Sequence, residues 1–203
     1  MRPLLPSLSA SLSASLSASL LASLVLCGTP ALAKPVHYRL DQTASEVAFE
    51  IDLGQGPLRG TMPVSAADLI LDFDRAAASS VRVTLDASRA RTPLPFATEA
   101  MKSASVLATG THPEIRFEST RLSASGQKAS VAGKITIRGV TRPIVMAAQI
   151  FRPKGSAAGD RDQLTVRLTG TIRRSDFGAG GFADLVGEEV RLDITARIRR
   201  TGR

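Results

Sequence analysis

Cysteine, histidine and most aromatic residues are scarce in this sequence of 203 residues, which has one cysteine, two histidines, one tyrosine and no tryptophan. Cys27 lies in an N-terminal segment of low complexity, so the chain beyond residue 33 has no thiol for a disulfide, a nucleophile or a metal site. His37 and His112 are too few for a histidine-rich metal site, and no G-x-S-x-G motif supplies a serine nucleophile. We therefore expect a protein that is not an enzyme, with no catalytic residue, no metal and no cofactor.

Long runs of one charge are also missing, although the chain carries a net charge of +8. The basic residues are interleaved with acidic residues rather than with aromatic residues that could stack on bases, which argues against a nucleic-acid partner. The net positive charge has two interpretations: a basic face that is simply solvated, which we favour, and transient contact with an anionic membrane surface.

Charged residues are nearly absent from the first 33 residues, where Arg2 is the only one. An SLSA repeat is followed by an apolar stretch and by the small residues Ala31 and Ala33. This composition is typical of a secretory signal peptide, and we predict a signal over residues 1–33 with cleavage after Ala33. The predicted product is one domain over residues 34–203, long enough to bury a substantial core.

Two alternatives for this segment fit less well. A membrane-anchoring helix needs about 20 apolar residues, and serines together with Thr29-Pro30 interrupt the run. Lipoprotein cleavage before Cys27 would require a small residue at the preceding position, which is Leu26.

Apolar and polar residues alternate with period two through most of the chain beyond residue 33. In EVAFEIDL, residues 46–53, the apolar residues share one face and the acidic residues take the other. The same alternation occurs at 68–74, 81–86, 114–118, 131–138, 144–150, 164–172 and 189–200. Such alternation predicts roughly eight to ten half-buried antiparallel strands.

Turn-forming residues separate these predicted strands. We predict turns at GQGPLRG (54–60), SASGQK (123–128) and RGVTRP (138–143), and longer loops over 153–163 and 176–189.

One segment, PFATEAMKSASVLAT (95–109), has helical periodicity instead and predicts one or two short helices. His112-Pro113 marks the end of this insert, since proline suits the first position of a strand.

A set of strands with one apolar face each must fold as a sandwich or close into a barrel. A membrane barrel is disfavoured, because eight aromatic residues are too few for two interfacial girdles. Gly60, Gly133 and Gly170 occur in phase with the apolar face, where each either leaves room in the interior or marks a bend. Because no tryptophan is present to fill the middle, we favour an aliphatic cavity for an apolar ligand.

Several motifs in order resemble those of the YceI-like family of exported polyisoprenoid-binding proteins. They are HYRLDQTASEVAFEI (37–51), similar to the first hairpin of the family, PLRGTMP, MKSASVLATGTHPEIRFES, VAGKITIRGVTRPIVM, IRRSDFGAG and VGEEVRLDI. The resemblance covers nearly all of residues 37–199. It implies an all-β fold, a single extended antiparallel lipocalin-like barrel with a short helical insert around 95–109. It also implies a periplasmic protein that binds or carries a long isoprenoid, of polyprenyl or quinone type, in the barrel lumen.

On this basis we predict which residues contact the lipid. The lumen residues are Phe49, Ile51, Leu69, Leu71, Val83, Leu85, Ile115, Phe117, Gly133, Ile135, Ile137, Ile144, Met146, Val166, Leu168, Gly170 and Ile194. Next to the glycine-rich loop, Arg174, Ser175, Asp176 and Phe177 are candidates either for holding a polar headgroup or for pinning the loop to the barrel.

An enzyme acting on a lipid in the tunnel and a non-catalytic interaction protein with a filled core remain as alternative functions. Beyond the isoprenoid or another long-chain lipid, a homodimer is a further partner expectation.

Overall fold

The computed structural model of the chain describes residues 35–54 and 56–202. The predicted signal peptide and its cleavage site lie outside the described residues. The described part contains one α-helix, α1 (Pro95–Lys102), and three 3₁₀ turns at Ala76–Ala78, Ala87–Arg89 and Arg174–Phe177. The strands are β1 (Val36–Leu40), β2 (Glu46–Asp52), β3 (Pro57–Thr61), β4 (Val64–Leu71), β5 (Ser80–Asp86), β6 (Glu114–Ser125), β7 (Lys128–Ile137), β8 (Val140–Phe151), β9 (Gln163–Arg173) and β10 (Glu189–Arg200).

Eight of these strands close into an antiparallel barrel. Their order around the barrel is β1-β4-β5-β6-β7-β8-β9-β10, and β1 pairs with the end of β10 to complete it. Tyr38 lies opposite Arg200 and Leu40 opposite Ile198 at this closure. The predicted all-β antiparallel barrel with a short helical insert is therefore confirmed.

The strands β2 and β3 extend the sheet beyond the closed barrel. β2 pairs with the first half of β10, and β3 pairs with the outer side of β2. β1 and β2 therefore lie end to end along β10 and do not pair with each other, so the interpretation of residues 37–51 as a hairpin is wrong. The connection over 41–45 therefore continues the chain from one strand to the next instead of reversing it.

The turn predicted over 54–60 is also shorter in the structure, because β3 already begins at Pro57. Proline lacks an amide proton, but at the first position of an outer strand it removes no essential ladder bond. The turns predicted over 123–128 and 138–143 are present but shorter, because β6 runs to Ser125 and β8 already begins at Val140. β6 and β7 are joined by two residues, and so are β7 and β8, whose connection has Arg138 and Gly139 at φ 52° and 75°. Two positive φ angles are typical of a type I′ hairpin turn.

The insert predicted over 95–109 is helical only in its first half. α1 begins with Pro95 at its first turn, where the missing amide proton costs nothing, and ends at Lys102. At Ser103 the backbone becomes extended, with ψ 163°, and the chain continues as a series of turns. The hydroxyls of Ser103 and Ser105 bond to each other, in keeping with the tendency of serine to favour turns over helix interiors.

The apolar faces of the strands point into the barrel, where buried side chains form two clusters. One cluster contains Ile115, Val131, Ile135, Met146 and Phe177 among others. The second, around the closure of β1 on β10, consists of Tyr38, Leu69, Leu164 and Ile198. No helix in the described part of the chain has the length and apolar character needed to cross a bilayer.

The glycines on the lumen face do not open space as predicted. A Cβ atom at Gly60 would lie 2.2 Å from Cζ of Phe49, and one at Gly133 would lie 2.5 Å from the Phe117 ring. At Gly170 the nearest atom, Cγ of Met146, would be 3.0 Å away. Neighbouring side chains therefore occupy the space that each glycine leaves. The Phe49 ring packs directly against the backbone of Gly60, and the Phe117 ring packs against the backbone of Gly133.

We expect Gly133→Ala to lower the free energy of unfolding by about 1–3 kcal/mol, because the new methyl group overpacks the wall. The methyl group would also lie 2.5 Å from the carbonyl oxygen of Glu118, so rotation of Phe117 alone does not relieve the clash. Urea denaturation checks this. Gly110→Ala is the control, because nothing lies within 4 Å of its Cβ position. Equal stability losses in the two variants would contradict the packing described here.

Candidate functional site: an apolar cavity along the barrel

A cavity of about 520 Å³ lies inside the barrel. Each of the ten strands contributes to its wall, together with α1 and the loop over 178–188 at one end and the turn over 72–79 at the other. Nearly all lining side chains are aliphatic or phenylalanine. The volume falls in the range of roughly 300–1,000 Å³ that is usual for small-molecule sites.

The structure places all of the predicted lumen residues on this wall except Gly133 and Gly170. The two glycines lie behind the side chains that pack over them. The alternation of apolar residues along each strand is sufficient to identify the others, because a period of two residues places every second side chain on the same face. Their contact with a ligand stays a prediction.

The sequence reading missed the part of the wall that does not come from strands. At one end of the barrel the cavity is lined by Ala97, Met101 and Leu107 from the insert and by Phe182 and Leu185 from the loop over 178–188. These residues follow no period-two pattern. One sequence feature does point to these wall residues. Large apolar side chains occur in segments whose glycine, serine and proline residues are otherwise typical of surface loops.

Two ionisable side chains, Asp72 and Arg174, are found among the described residues of the wall. Arg174 is 5% exposed and donates to four backbone carbonyl oxygens: Nε to Gly187, Nη1 to Ala179 and Gly181, and Nη2 to Val186. All four acceptors belong to the loop over 178–188. Arg174 therefore fixes this loop over the end of the barrel, with its guanidinium largely saturated.

The candidate headgroup residues consequently do different things. Arg174 holds the loop over 178–188 through backbone carbonyl oxygens and not through Asp176. The expected arginine–aspartate pair is therefore not formed, and the Arg174 guanidinium is not free to bind a headgroup. Ser175 is exposed and bonds Glu188 through its amide and its hydroxyl, while Asp176 is exposed and does not line the cavity. Phe177 is 2% exposed and belongs to the wall.

Polar interactions gather at the opposite end of the barrel. The Tyr38 hydroxyl donates to the carbonyl oxygen of Arg161 at 2.8 Å, and the Tyr38 ring meets Phe73 edge-on with centroids 6.0 Å apart. The Arg161 guanidinium lies 5.0 Å from the centroid of Phe73 and pairs with Asp74 at 3.1 Å. These contacts brace the wall beside Asp72.

Asp72 organises the turn that follows β4. Its side chain is 1% exposed, accepts from the amides of Asp74 and Arg75, and pairs with the Arg75 guanidinium at 3.1 Å. Its own amide donates to the hydroxyl of Ser79 at 2.8 Å. The Arg75 amide is the main reason that the pKa of Asp72 is lowered, and burial opposes it.

This lowered pKa predicts a loss of stability in acid. A carboxyl group with a folded pKa below its unfolded value of about 3.9 stabilises the fold above that pH, and the contribution disappears as the pH falls through the folded pKa. We expect Asp72→Asn to lower the melting temperature at pH 7 and to flatten its decline below about pH 4. Asp184→Asn, at an exposed loop position, is the control. Parallel melting curves for Asp72→Asn and the wild type across this range would contradict the assignment.

Neither histidine belongs to the cavity wall. His37 is exposed on β1, and His112 lies half-buried against Gly139, at the other end of the barrel. Within the described residues, no three histidine, cysteine, aspartate or glutamate side chains come together in a way that could hold a metal ion. The wall thus presents packing surface and very little reactive chemistry.

Comparison with known proteins gives matches over most of the chain. A protein-family profile described as "YceI-like domain" matches residues 38–198. Protein YceI of Escherichia coli O157:H7 is 26% identical over 161 residues, which cover 78% of this chain and 84% of that protein.

Two solved structures share the barrel fold. Burkholderia cenocepacia BcnA superposes with a TM-score of 0.69 at 20% identity, over 78% of this chain and 99% of that one. A polyisoprenoid binding domain from Saccharophagus degradans superposes with a TM-score of 0.61 at 14% identity, over 82% of this chain and 99% of that one.

Proposed function

The chain belongs to the YceI-like family, and from this premise we propose that it binds and carries a long apolar isoprenoid lipid inside its barrel. The observation that carries the proposal is the cavity of about 520 Å³, whose wall is formed mostly by aliphatic and phenylalanine side chains. A structural relative, the Saccharophagus degradans domain, is itself described as polyisoprenoid binding. The ligand we propose has a polyprenyl or quinone-type tail.

The apolar wall accounts for affinity without polar recognition. Burial of each methylene contributes about 0.8 kcal/mol, so a tail of some tens of carbons offers more gross stabilisation than the limit of roughly 20 kcal/mol for non-covalent binding. Ordering the flexible tail offsets much of that gain. We therefore expect discrimination by tail length, because carbons that exceed the cavity gain nothing from further burial.

Binding accounts for this arrangement better than catalysis on a bound lipid does. A reaction in the tunnel would need an acid, a base or a nucleophile beside the tail, and Asp176 and His112, the residues that such a reaction would use, do not line the cavity. The ionisable groups that do line it, Asp72 and Arg174, are engaged in bonds that hold a turn and a loop. An interaction protein with a filled core would lack the cavity.

We also propose that the protein works in the periplasm. The signal-like composition of residues 1–33 and the family resemblance support this location. The homodimer stays a prediction.

Uptake of defined lipids by delipidated protein tests the function. We expect affinity for quinones with isoprenoid tails to increase with tail length and then to level off when the cavity is full. Palmitate, an unbranched apolar chain, is the comparison ligand. No uptake of any isoprenoid would overturn the proposal, and equal affinity for palmitate and a quinone tail of matched length would show that the ligand class is wrong.

A further inference from the structure

Large exposed apolar side chains gather at one end of the cavity. Phe96 on α1 is 68% exposed, and Phe182 and Leu185 on the loop over 178–188 are 48% and 65% exposed. All three also line the cavity, so they are in contact with the interior and with solvent at the same time. With Leu94, which precedes α1 and is 37% exposed, they form what we call the apolar rim.

The two segments that carry the apolar rim are fixed in place. The backbone of Arg91 exchanges two hydrogen bonds with Thr61 of β3, at 2.8 and 2.9 Å, just before Leu94. The loop over 178–188 is held by the guanidinium of Arg174 and by the amide of Gly181, which donates to the carbonyl of Ser105 at 2.9 Å. The rim is therefore a built surface of the fold and not a pair of frayed ends.

Two basic residues, Arg89 and Arg91, precede Leu94 of the apolar rim in sequence. Arg89 and Arg91 are exposed, and neither forms an ion pair within the described part of the chain. Elsewhere on the barrel, exposed arginines such as Arg82 and Arg191 each pair with two carboxylates. Asp184, between Phe182 and Leu185, is exposed and also has no ion pair within the described residues, so the two arginines outnumber it. An apolar cluster with an excess of arginine is complementary to the interface of an anionic bilayer.

The opposite end of the barrel has a different surface. There the exposed residues that line the cavity are small, Ser123 and Ala124, and Arg161 is neutralised by Asp74. Among the described residues, the large exposed apolar side chains that also line the cavity thus occur at one end alone, which is the end where α1 and the loop over 178–188 meet the cavity.

We infer that the apolar rim inserts into the headgroup region of an anionic bilayer, with Arg89 and Arg91 on the lipid phosphates, and that the lipid tail passes between bilayer and cavity at this end. Leu94, Phe96, Phe182 and Leu185 would then contact acyl chains while the tail crosses without exposure to water. The transfer route rests on the proposed lipid-binding function, whereas the bilayer contact itself does not.

Co-sedimentation with vesicles tests this inference. The probes are vesicles of phosphatidylcholine alone and of phosphatidylcholine with phosphatidylglycerol. We expect binding to the anionic vesicles that weakens with added salt, a loss of tenfold or more in Phe96→Ser/Leu185→Ser, and a weaker salt dependence in Arg89→Ser/Arg91→Ser. Val145→Ser is the matched control, since Val145 is also 65% exposed but does not line the cavity.

Three results would overturn the inference. They are no binding of the wild type to anionic vesicles, equal losses in the rim variant and in Val145→Ser, and a dimer in solution that disappears in the rim variant. The last would show that a second copy of the chain covers the rim. Failure of vesicle binding in a protein that still takes up a quinone leaves the proposed function standing, and vesicle binding without quinone uptake leaves only the bilayer contact.

Discussion

Replacement of Ile135 by arginine should abolish retention of an isoprenoid, with affinity reduced by a factor of 100 or more. Ile135 is 7% exposed, lies on β7 and faces the cavity. The carboxylate found on the described wall, Asp72, is already bonded to Arg75 and to the amide of Asp74. A guanidinium at position 135 must therefore draw water into the lumen or turn out of it, and either change disrupts the apolar surface that holds the tail. Affinity for a long-tailed quinone, measured by titration of delipidated protein, checks the result.

The buried charge will also destabilise the barrel, by about 3–5 kcal/mol, so a second variant is needed. Val166→Phe adds volume to the lumen without adding charge, and we expect it to shorten the longest tail that the protein accepts. Val145→Arg places the same new charge on an exposed position of β8 and should bind as the wild type does. Unchanged affinity in both lumen variants would show that the ligand lies elsewhere.

Replacement of Arg174 by methionine should lower the free energy of unfolding by about 3–5 kcal/mol. The substitution keeps the apolar stem but removes a guanidinium that bonds four carbonyl oxygens of the loop over 178–188, and each buried acceptor left without a donor costs about 1–3 kcal/mol before the loop relaxes. Hydrogen exchange should show faster exchange in that loop, and urea denaturation should show the loss of stability.

Arg173→Met is the matched control for this variant. Arg173 is adjacent in sequence but its side chain is 65% exposed, with a single ion pair to Glu188 at 3.5 Å, and such pairs contribute about 1 kcal/mol or less. If Arg174→Met unfolded within 1 kcal/mol of the wild type, the loop would be held by other contacts and the role given to Arg174 would be wrong.

The barrel and most of its lining were accessible from the sequence, because period-two alternation specifies both the strand and the face of each side chain. Ile135, Met146 and Leu168 lie on the cavity wall for this reason. β3 was not accessible in this way, since Pro57 and Gly60 in a five-residue strand have the composition of a turn, and only the pairing with β2 makes that segment a strand.

The roles of residues that depend on tertiary contacts could not be predicted from the sequence. A glycine at position 133 fits the apolar pattern of the strand equally well if it widens the cavity or if an aromatic ring packs against it. The position of Phe117 in the structure decides between the two. Arg174 could have met a headgroup, an aspartate or a set of carbonyls, and the path of the loop after it determines which. Phe96 and Leu185 join one surface only because the fold brings α1 and the loop over 178–188 to the same end of the cavity.

Native mass spectrometry of the protein, purified without detergent and then incubated with a long-tailed quinone, tests the central claim most directly. We predict a complex heavier than the polypeptide by the mass of one isoprenoid lipid, present on purification or formed on incubation, and absent from Ile135→Arg. A protein that keeps the mass of the polypeptide alone under both conditions would contradict a lipid-holding barrel.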